Sequence, residues 1–480
     1  MPEPAAPHVV VVGGGISGLA AALALRRNGP PGLRTTVLEA SAVLGGKLRT
    51  SEFAGVPLDE GAEAFLARRP EALELAASVG LAAELVAPAT TAAGVWTRGR
   101  IRPFPGGTLL GVPTSVAAVA RSRVLSAQGT ARLLLDRVLP APPVPEDLAV
   151  GRYVAGRLGR EVVDRLVDPL LGGVYAGRAD LLSLAATIPS LAAVADRGGS
   201  LLSGAKAAGA ASPPYAGPLF QTLPAGLGRL AEAVAAASGA DLRLGTTVRE
   251  LTRAASGGWL LTTGSTARPQ RLAADAVILA VPAAPAARLL AAAPAAAGQL
   301  AAIDYASVAI VTLAYAGVPA LTGSGFLVPA VDGRLTKAAT FSTAKWSHVA
   351  TAVPGLTIVR CSVGRYGDPG DLQRDDEELV RGVAAELEQA VGLPARPVES
   401  RVTRWGGALP QYAVGHLDRV ARIRAAVAVV PALAVCGAAY DGVGVPACIA
   451  SGQRAAQEVL RWLRPQVPET SRDPASRKVP

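Results

Sequence analysis

Val9-Val10-Val11-Val12-Gly13-Gly14-Gly15-Ile16-Ser17-Gly18 is the stretch that decides the fold. Four β-branched residues in a row read as a short buried strand. The Gly13-x-Gly15-x-x-Gly18 spacing follows at once, and the apolar positions Leu19, Leu23 and Leu25 then predict a helix to about Asn28. Thr35-Thr36-Val37-Leu38 is the next strand. Glu39, with Ala40 behind it, ends that strand about 20 residues beyond the last glycine. This is a complete β-turn-α-β unit, the context a dinucleotide-binding fingerprint requires. Gly13 allows the tight turn, Gly15 lets a pyrophosphate reach the backbone, and Gly18 lets the helix pack on the strand. Amides around Gly14, Ile16 and Ser17 would meet the phosphates at the positive end of the helix dipole. Glu39 would accept hydrogen bonds from ribose hydroxyls.

Further parts of the same layered domain lie far along the chain. Leu227 to Ala237 reads as a helix, and Leu242 to Leu251 as a strand that includes Thr247-Val248-Arg249. A hairpin turns at Gly257-Gly258, and Asp275 to Val281 is a buried strand stopped by Pro282. Leu433 to Gly437 is another short strand, and Ser451 to Leu463 a helix with Arg and Glu on its outer positions. The expected fold class is α/β (α+β overall). A discontinuous Rossmann-like domain takes residues 1-75, 215-290 and 405-465. A mainly helical insertion, 75-215, is broken at Pro140 to Pro145. A substrate-binding domain, 290-405, carries strands Val308 to Tyr315 and Thr357 to Val363 and a helix from Asp375 to Val391. Residues 465-480, polar and Pro-rich, are expected to form a disordered tail.

Composition excludes several classes. Half of the 480 residues are hydrophobic and 18% are charged, enough for a sizeable core and too apolar for a disordered chain. The 47 basic residues exceed the 37 acidic ones by 10, and Lys occurs only at 47, 206, 337, 345 and 478. This Arg bias, with abundant Ala, Gly and Pro, is the mark of GC-rich coding. No run of like charge interleaves with aromatics, so no nucleic-acid partner is expected. Cys361, Cys436 and Cys448, with His8, His348 and His416, fit no metal-ligand spacing. Neither a metal site nor a disulfide framework is expected, and the natural setting is a reducing cytoplasm. Mean hydropathy is +0.34. The uncharged stretch from Tyr305 to Val331 is cut by Gly317, Pro319 and Gly323, short of the roughly 20 continuous apolar residues of a spanning helix. Val9 to Leu25 has no basic lead-in and is divided by its glycines, unlike a signal peptide. A soluble chain is expected, with peripheral membrane contact left open.

Three more motifs narrow the reading. Leu44-Gly45-Gly46-Lys47-Leu48-Arg49 follows the second strand, and Asp59-Glu60-Gly61-Ala62-Glu63-Ala64-Phe65 comes next. Asp168-Pro169-Leu170-Leu171-Gly172-Gly173-Val174-Tyr175-Ala176-Gly177, the stretch from Trp405-Gly406-Gly407 to Gly415-His416, and Gly437-Ala438-Ala439-Tyr440-Asp441-Gly442-Val443-Gly444-Val445-Pro446-Ala447-Cys448 complete the set. From residue 9 to about 463 the chain resembles the protoporphyrinogen and coproporphyrinogen III oxidases of the flavin amine oxidase superfamily, most of all the bacterial coproporphyrinogen III oxidases. It departs from them at Lys47, where Arg is usual, and at Ala447, where Asp is common.

The resemblance implies FAD rather than NAD. It places Gly46 and Lys47 at the cofactor, and Gly61, Ala62, Glu63 and Ala64 along the flavin, with the acids Asp59, Glu60 and Glu63 at a helix start. Val248 falls on the adenine side, Trp405 lines the flavin pocket, and Ala438, Val443, Gly444 and Val445 lie near the ring. His416 is expected to be a hydrogen-bonded structural residue. The implied activity is FAD-dependent oxidation of coproporphyrinogen III to coproporphyrin III in haem biosynthesis, with O2 reduced to H2O2. The alternatives are protoporphyrinogen IX oxidation, another amine oxidase or desaturase, or a binding protein of the same fold, against which the intact fingerprint speaks. No catalytic residue is identified. Substrate propionates call for Arg, and alternation puts Arg98, Arg100 and Arg102 on one strand face as the expected substrate-binding cluster, with Lys337 and Lys345 the next place to look. Besides porphyrinogen and O2, contact with a haem-pathway enzyme is left open.

Overall fold

The computed structural model describes residues 6–144, 146–211, 215–255 and 257–463. The residues 465–480 expected to form a tail, and Pro145, lie outside them. Val9 to Val12 form the middle of a five-stranded parallel sheet in the order Asp241–Arg243, Arg34–Leu38, His8–Val12, Ala276–Leu279, Leu433–Val435. Every residue of His8–Val12 is buried, as a strand covered on both faces by helices must be. On one face lie the first helix, Ile16–Asn28, and the closing helix, Val445–Leu463. Their backbones touch: a Cβ at Gly452 would overlap the Ser17 carbonyl. On the other face, helices Ala283–Leu289, Pro294–Ala301 and His416–Ala428 share a core with Val10, Val12, Trp259 and Leu261.

Two expectations on elements change. The stretch from Leu242 to Leu251 is not one strand. Gly245 turns at φ +61°, its amide donates to Ser41 O and that of Thr246 to Glu39 O, and the chain leaves Asp241–Arg243 to re-enter a separate three-stranded sheet at Glu250–Arg253. The closing helix begins at Val445 rather than Ser451, with Pro446 in its first turn, where a missing N–H costs nothing.

A second sheet of seven strands runs in the order Glu399–Pro410, Tyr305–Ala316, Leu356–Val363, Thr336–Phe341, Gly325–Leu327, Ala93–Thr97, Arg100–Pro103. Its outermost hairpin therefore comes from inside residues 75–215, and its other edge strand runs past residue 405. One face packs on helix Asp376–Val391 through Val311, Phe326, Phe341 and Cys361; Asp375 caps that helix by accepting from the Glu378 amide at 2.7 Å. The opposite face looks toward the glycine turn. A helical layer, including Val150–Leu158 and Asp168–Tyr175, closes the space beside it around Leu158, Leu166 and Tyr412. Among the described residues no helix is long and apolar enough to cross a membrane, and no group of His, Cys, Asp and Glu is arranged to hold a metal.

Candidate functional site: a groove at the first helix

The glycines act as their spacing requires. Gly13 turns at φ +111°, and a Cβ there would stand 2.6 Å from Ala280 O. A Cβ on Gly18 would overlap the Gly13 carbonyl, which is the close helix–strand approach. Gly15 differs: its backbone (φ −72°, ψ 171°) suits any residue, and a Cβ would meet nothing within 4 Å. The open space lies in front of a helix start that no side chain caps, so the first-turn dipole is left for an anion.

Three backbone segments stack beside that opening. Gly45 donates to Gly14 O at 2.9 Å, Ala62 to Lys47 O at 3.1 Å and Glu60 to Arg49 O at 2.8 Å. Gly46 thereby stands against Gly15. Burial lowers the Lys47 ammonium pKa, with the Cys448 thiol nearby. Ile16, Leu44, Ala62, Ala438, Val445 and Cys448 share one apolar cluster, so the turn, the Gly61 loop and the C-terminal motif meet here. Val443 packs instead toward the helical layer, and Gly444 accepts from the Cys448 amide at the start of the closing helix. Val248 lies at the other flank of the sheet beside Val12 and Leu38. Glu39 already accepts from the Gly14 amide at 2.6 Å and the Ser41 amide at 2.8 Å; this pins the carboxylate at the strand end with lone pairs to spare.

Trp405 joins the groove to the second sheet. Its Nε1 donates to Glu60 O at 2.9 Å, and its ring would be 3.3 Å from a Cβ on Gly61. Behind the Gly61 loop sits a feature that spacing could not announce. Glu63 pairs with both Lys345 and Arg360, and Arg360 also donates to Gly61 O at 3.0 Å. Burial alone would raise the Glu63 carboxyl, but the two cations outweigh it and hold it at about 2. The side chain of Glu63 is therefore turned from the groove to the sheet. The acids do not begin a helix as expected: Asp59 ends strand Val56–Asp59, and the next helix starts only at Pro70. Asp59 accepts from Thr50 Oγ1 at 2.6 Å and the Leu227 amide at 2.8 Å, and burial pushes it up to about 6.

The arginine triplet does not share a face. Arg98 and Gly99 form the hairpin turn at φ +51° and +74°. Arg98 donates to Val124 O at 2.7 Å and pairs with Glu161. Arg100 is exposed, whereas Arg102, paired across from Val95, has a buried Nε without a partner. A turn had replaced the continuous strand that the alternation assumed. His416 is fully buried and stacks on Tyr412 at 3.9 Å between centroids. The ring also faces the backbone of Tyr440, without reaching ideal hydrogen-bond geometry, so stacking and this contact hold it as a structural residue. Burial lowers its pKa to about 4, which keeps it neutral near pH 7.

A pyrophosphate-bearing cofactor with a planar ring fits these residues. Gly15 leaves the space a side chain would fill, and backbone lines the path from Gly46 to Gly61. The family profile described as flavin-containing amine oxidoreductase matches residues 16–460. The chain is 38% identical to a coproporphyrinogen III oxidase of Mycobacterium tuberculosis, over 95% of this chain and 98% of that one. It is 34% identical to a coproporphyrinogen III oxidase of Bacillus subtilis, over 95% and 98%. The crystal structure of a protein from Exiguobacterium sp. 255-15 superposes with a TM-score of 0.84 at 31% identity, covering 95% of this chain and 99% of that one.

Proposed function

The chain belongs to the flavin-containing amine oxidoreductases and uses FAD, and from that membership we propose that it oxidises coproporphyrinogen III to coproporphyrin III. FAD, when bound, would supply two-electron redox chemistry with dioxygen as the final acceptor, so removing six electrons would need three turnovers and give three hydrogen peroxide molecules. The chain's own residues bind, orient and exclude. Amides at the start of Ile16–Asn28, with the Lys47 ammonium, hold the pyrophosphate, and Glu39 holds the ribose. Backbone at Gly61 and Ala62 leaves room for the ring, while Trp405 fixes that loop against the second sheet. Val308 and Trp405, which pair across two strands, present an apolar surface beside Ala176; there a macrocycle would sit away from bulk water.

The likeness to coproporphyrinogen III oxidases across nearly the whole length of both chains carries this reading. Peroxide-coupled turnover on coproporphyrinogen III and protoporphyrinogen IX, prepared anaerobically and compared at equal concentration, tests it. The expected result is about three peroxides per porphyrin and a higher kcat/KM for coproporphyrinogen III. Preference for protoporphyrinogen IX would move the substrate assignment, and turnover of neither would overturn it.

A further inference from the structure

Strand Thr336–Phe341 contains a bulge. Thr336 is opposite Val363 and Ala338 is opposite Ser362, so Lys337 has no partner across the ladder. Strict alternation would put Lys337 with Ala339 and Phe341, in the core under helix Asp376–Val391. A bulge re-aims its side chain. The Lys337 Cδ lies 3.9 Å from where a Cβ of Gly172 would stand, which puts the side chain against helix Asp168–Tyr175 instead. That helix runs into Ala176, which packs with Val308 and Trp405. Lys337 thus enters the same face of the sheet from which Trp405 and Arg360 reach the Gly61 loop.

The acids of this region, Asp168, Asp371, Glu386 and Asp368, act on Arg365 and none acts on Lys337. Lys337 is 4% exposed, yet its ammonium has no hydrogen bond or ion pair among the described residues. Burial, then the like charge of Arg365, lowers its pKa to about 7. Arg365 donates only to carbonyls, to Arg334 O at 3.0 Å and more weakly to Thr336 O and Val328 O. Lys345, the other lysine of this region, pairs with Glu63, which it shares with Arg360. An interior cation without a partner is costly unless an anion joins it. Gly172 and Gly173 carry no side chain opposite it; a Cβ would come into ordinary contact with Gly177 O and Lys337 Cδ at the first and with Leu327 at the second.

We propose that Lys337, with Arg365 beside it, binds one carboxylate of the substrate and so anchors the macrocycle beneath the second sheet. The inference rests on the porphyrinogen reading and deepens it: the recognised group is a propionate, held by a charge-assisted hydrogen bond. The test compares binding of coproporphyrin III with that of its tetramethyl ester, in matched detergent, by porphyrin fluorescence quenching on the FAD-loaded protein. Lys337→Met is expected to weaken the free acid about 10- to 150-fold and to leave the ester unchanged. FAD content should stay normal, and the melting temperature should hold or rise because a buried charge is gone. Lys337→Gln, closer in polarity, should show the same selective loss and serves if the Met variant fails to fold. Unchanged affinity for the free acid in a folded variant overturns the inference, as does an equal loss for acid and ester. If the wild type turns over coproporphyrinogen III while the variants keep wild-type affinity, only the anchoring role fails. If the wild type turns over neither porphyrinogen, the substrate reading and the anchor fall together.

Discussion

Gly15 and Gly18 sit three residues apart in one fingerprint, yet the structure gives them different physical duties. Gly18 touches protein, since a Cβ would overlap the Gly13 carbonyl and crowd Ala280; Gly15 faces open space in an ordinary extended conformation. Gly15→Val should therefore purify without flavin yet melt like the flavin-stripped wild type, whereas Gly18→Val should melt below that reference as well. The visible flavin absorbance relative to protein, read beside a thermal melt, separates the two; normal flavin content in Gly15→Val would remove the pyrophosphate assignment. Asp59 offers a second residue-scale test. Its folded pKa is raised from 3.8 to about 6, so the native state binds its proton more tightly than the unfolded chain. The ionised group then costs stability above pH 6, by up to about 3 kcal/mol, and costs nothing below 3.8. Asp59→Asn keeps an acceptor for Thr50 and Leu227. It should be more stable than the wild type at pH 8, with the gap closing as pH falls through 6 toward 4. Equal stability at pH 8 in chemical denaturation would contradict this.

The Gly61 loop is held at the element level by a clamp to the second sheet. Glu63 ties it to Lys345, just after strand Thr336–Phe341, and to Arg360 within Leu356–Val363. Glu63→Gln would leave two interior cations without their carboxylate, and a broken buried pair costs about 3 kcal/mol or more. The Glu63 pKa is lowered from 4.5 to about 2, so the ionised form stabilises the fold at all pH above 4.5, and that contribution fades as pH falls toward 2. The variant should melt well below the wild type at pH 7, with the deficit shrinking in acid; an unchanged melting temperature would mean the clamp is idle. The strands themselves were legible because Val9 to Val12 and Val308 to Tyr315 are β-branched, apolar and bounded by glycine or proline. The clamp was not, because its partners lie 282 and 297 residues apart and no local pattern joins them. Arg98 misled, and the direction of Lys337 (named only as a second place to look) could not be read, for one reason. A turn in one case and a bulge in the other broke the two-residue period on which face assignments depend.

Across the whole molecule, the floor of the site is the glycine turn of the parallel sheet, and its roof is the part of the second sheet from which Trp405 and Arg360 reach the Gly61 loop, with Lys337, unpaired among the described residues, against Gly172. The floor could be read from a single stretch of sequence, since phosphate binding by backbone demands glycine at fixed positions. The roof could not: its residues come from three separate strands of the second half of the chain, and Lys337 is distinguished from Lys345 only by what surrounds it. The central claim is that this groove passes electrons from a porphyrinogen to FAD. Anaerobic mixing of the FAD-loaded protein in excess with limiting coproporphyrinogen III measures that transfer without dioxygen. Bleaching of the flavin band should accompany the rise of coproporphyrin absorbance, with three flavins reduced for each porphyrin formed. A flavin that stays oxidised while the porphyrinogen persists would contradict the claim.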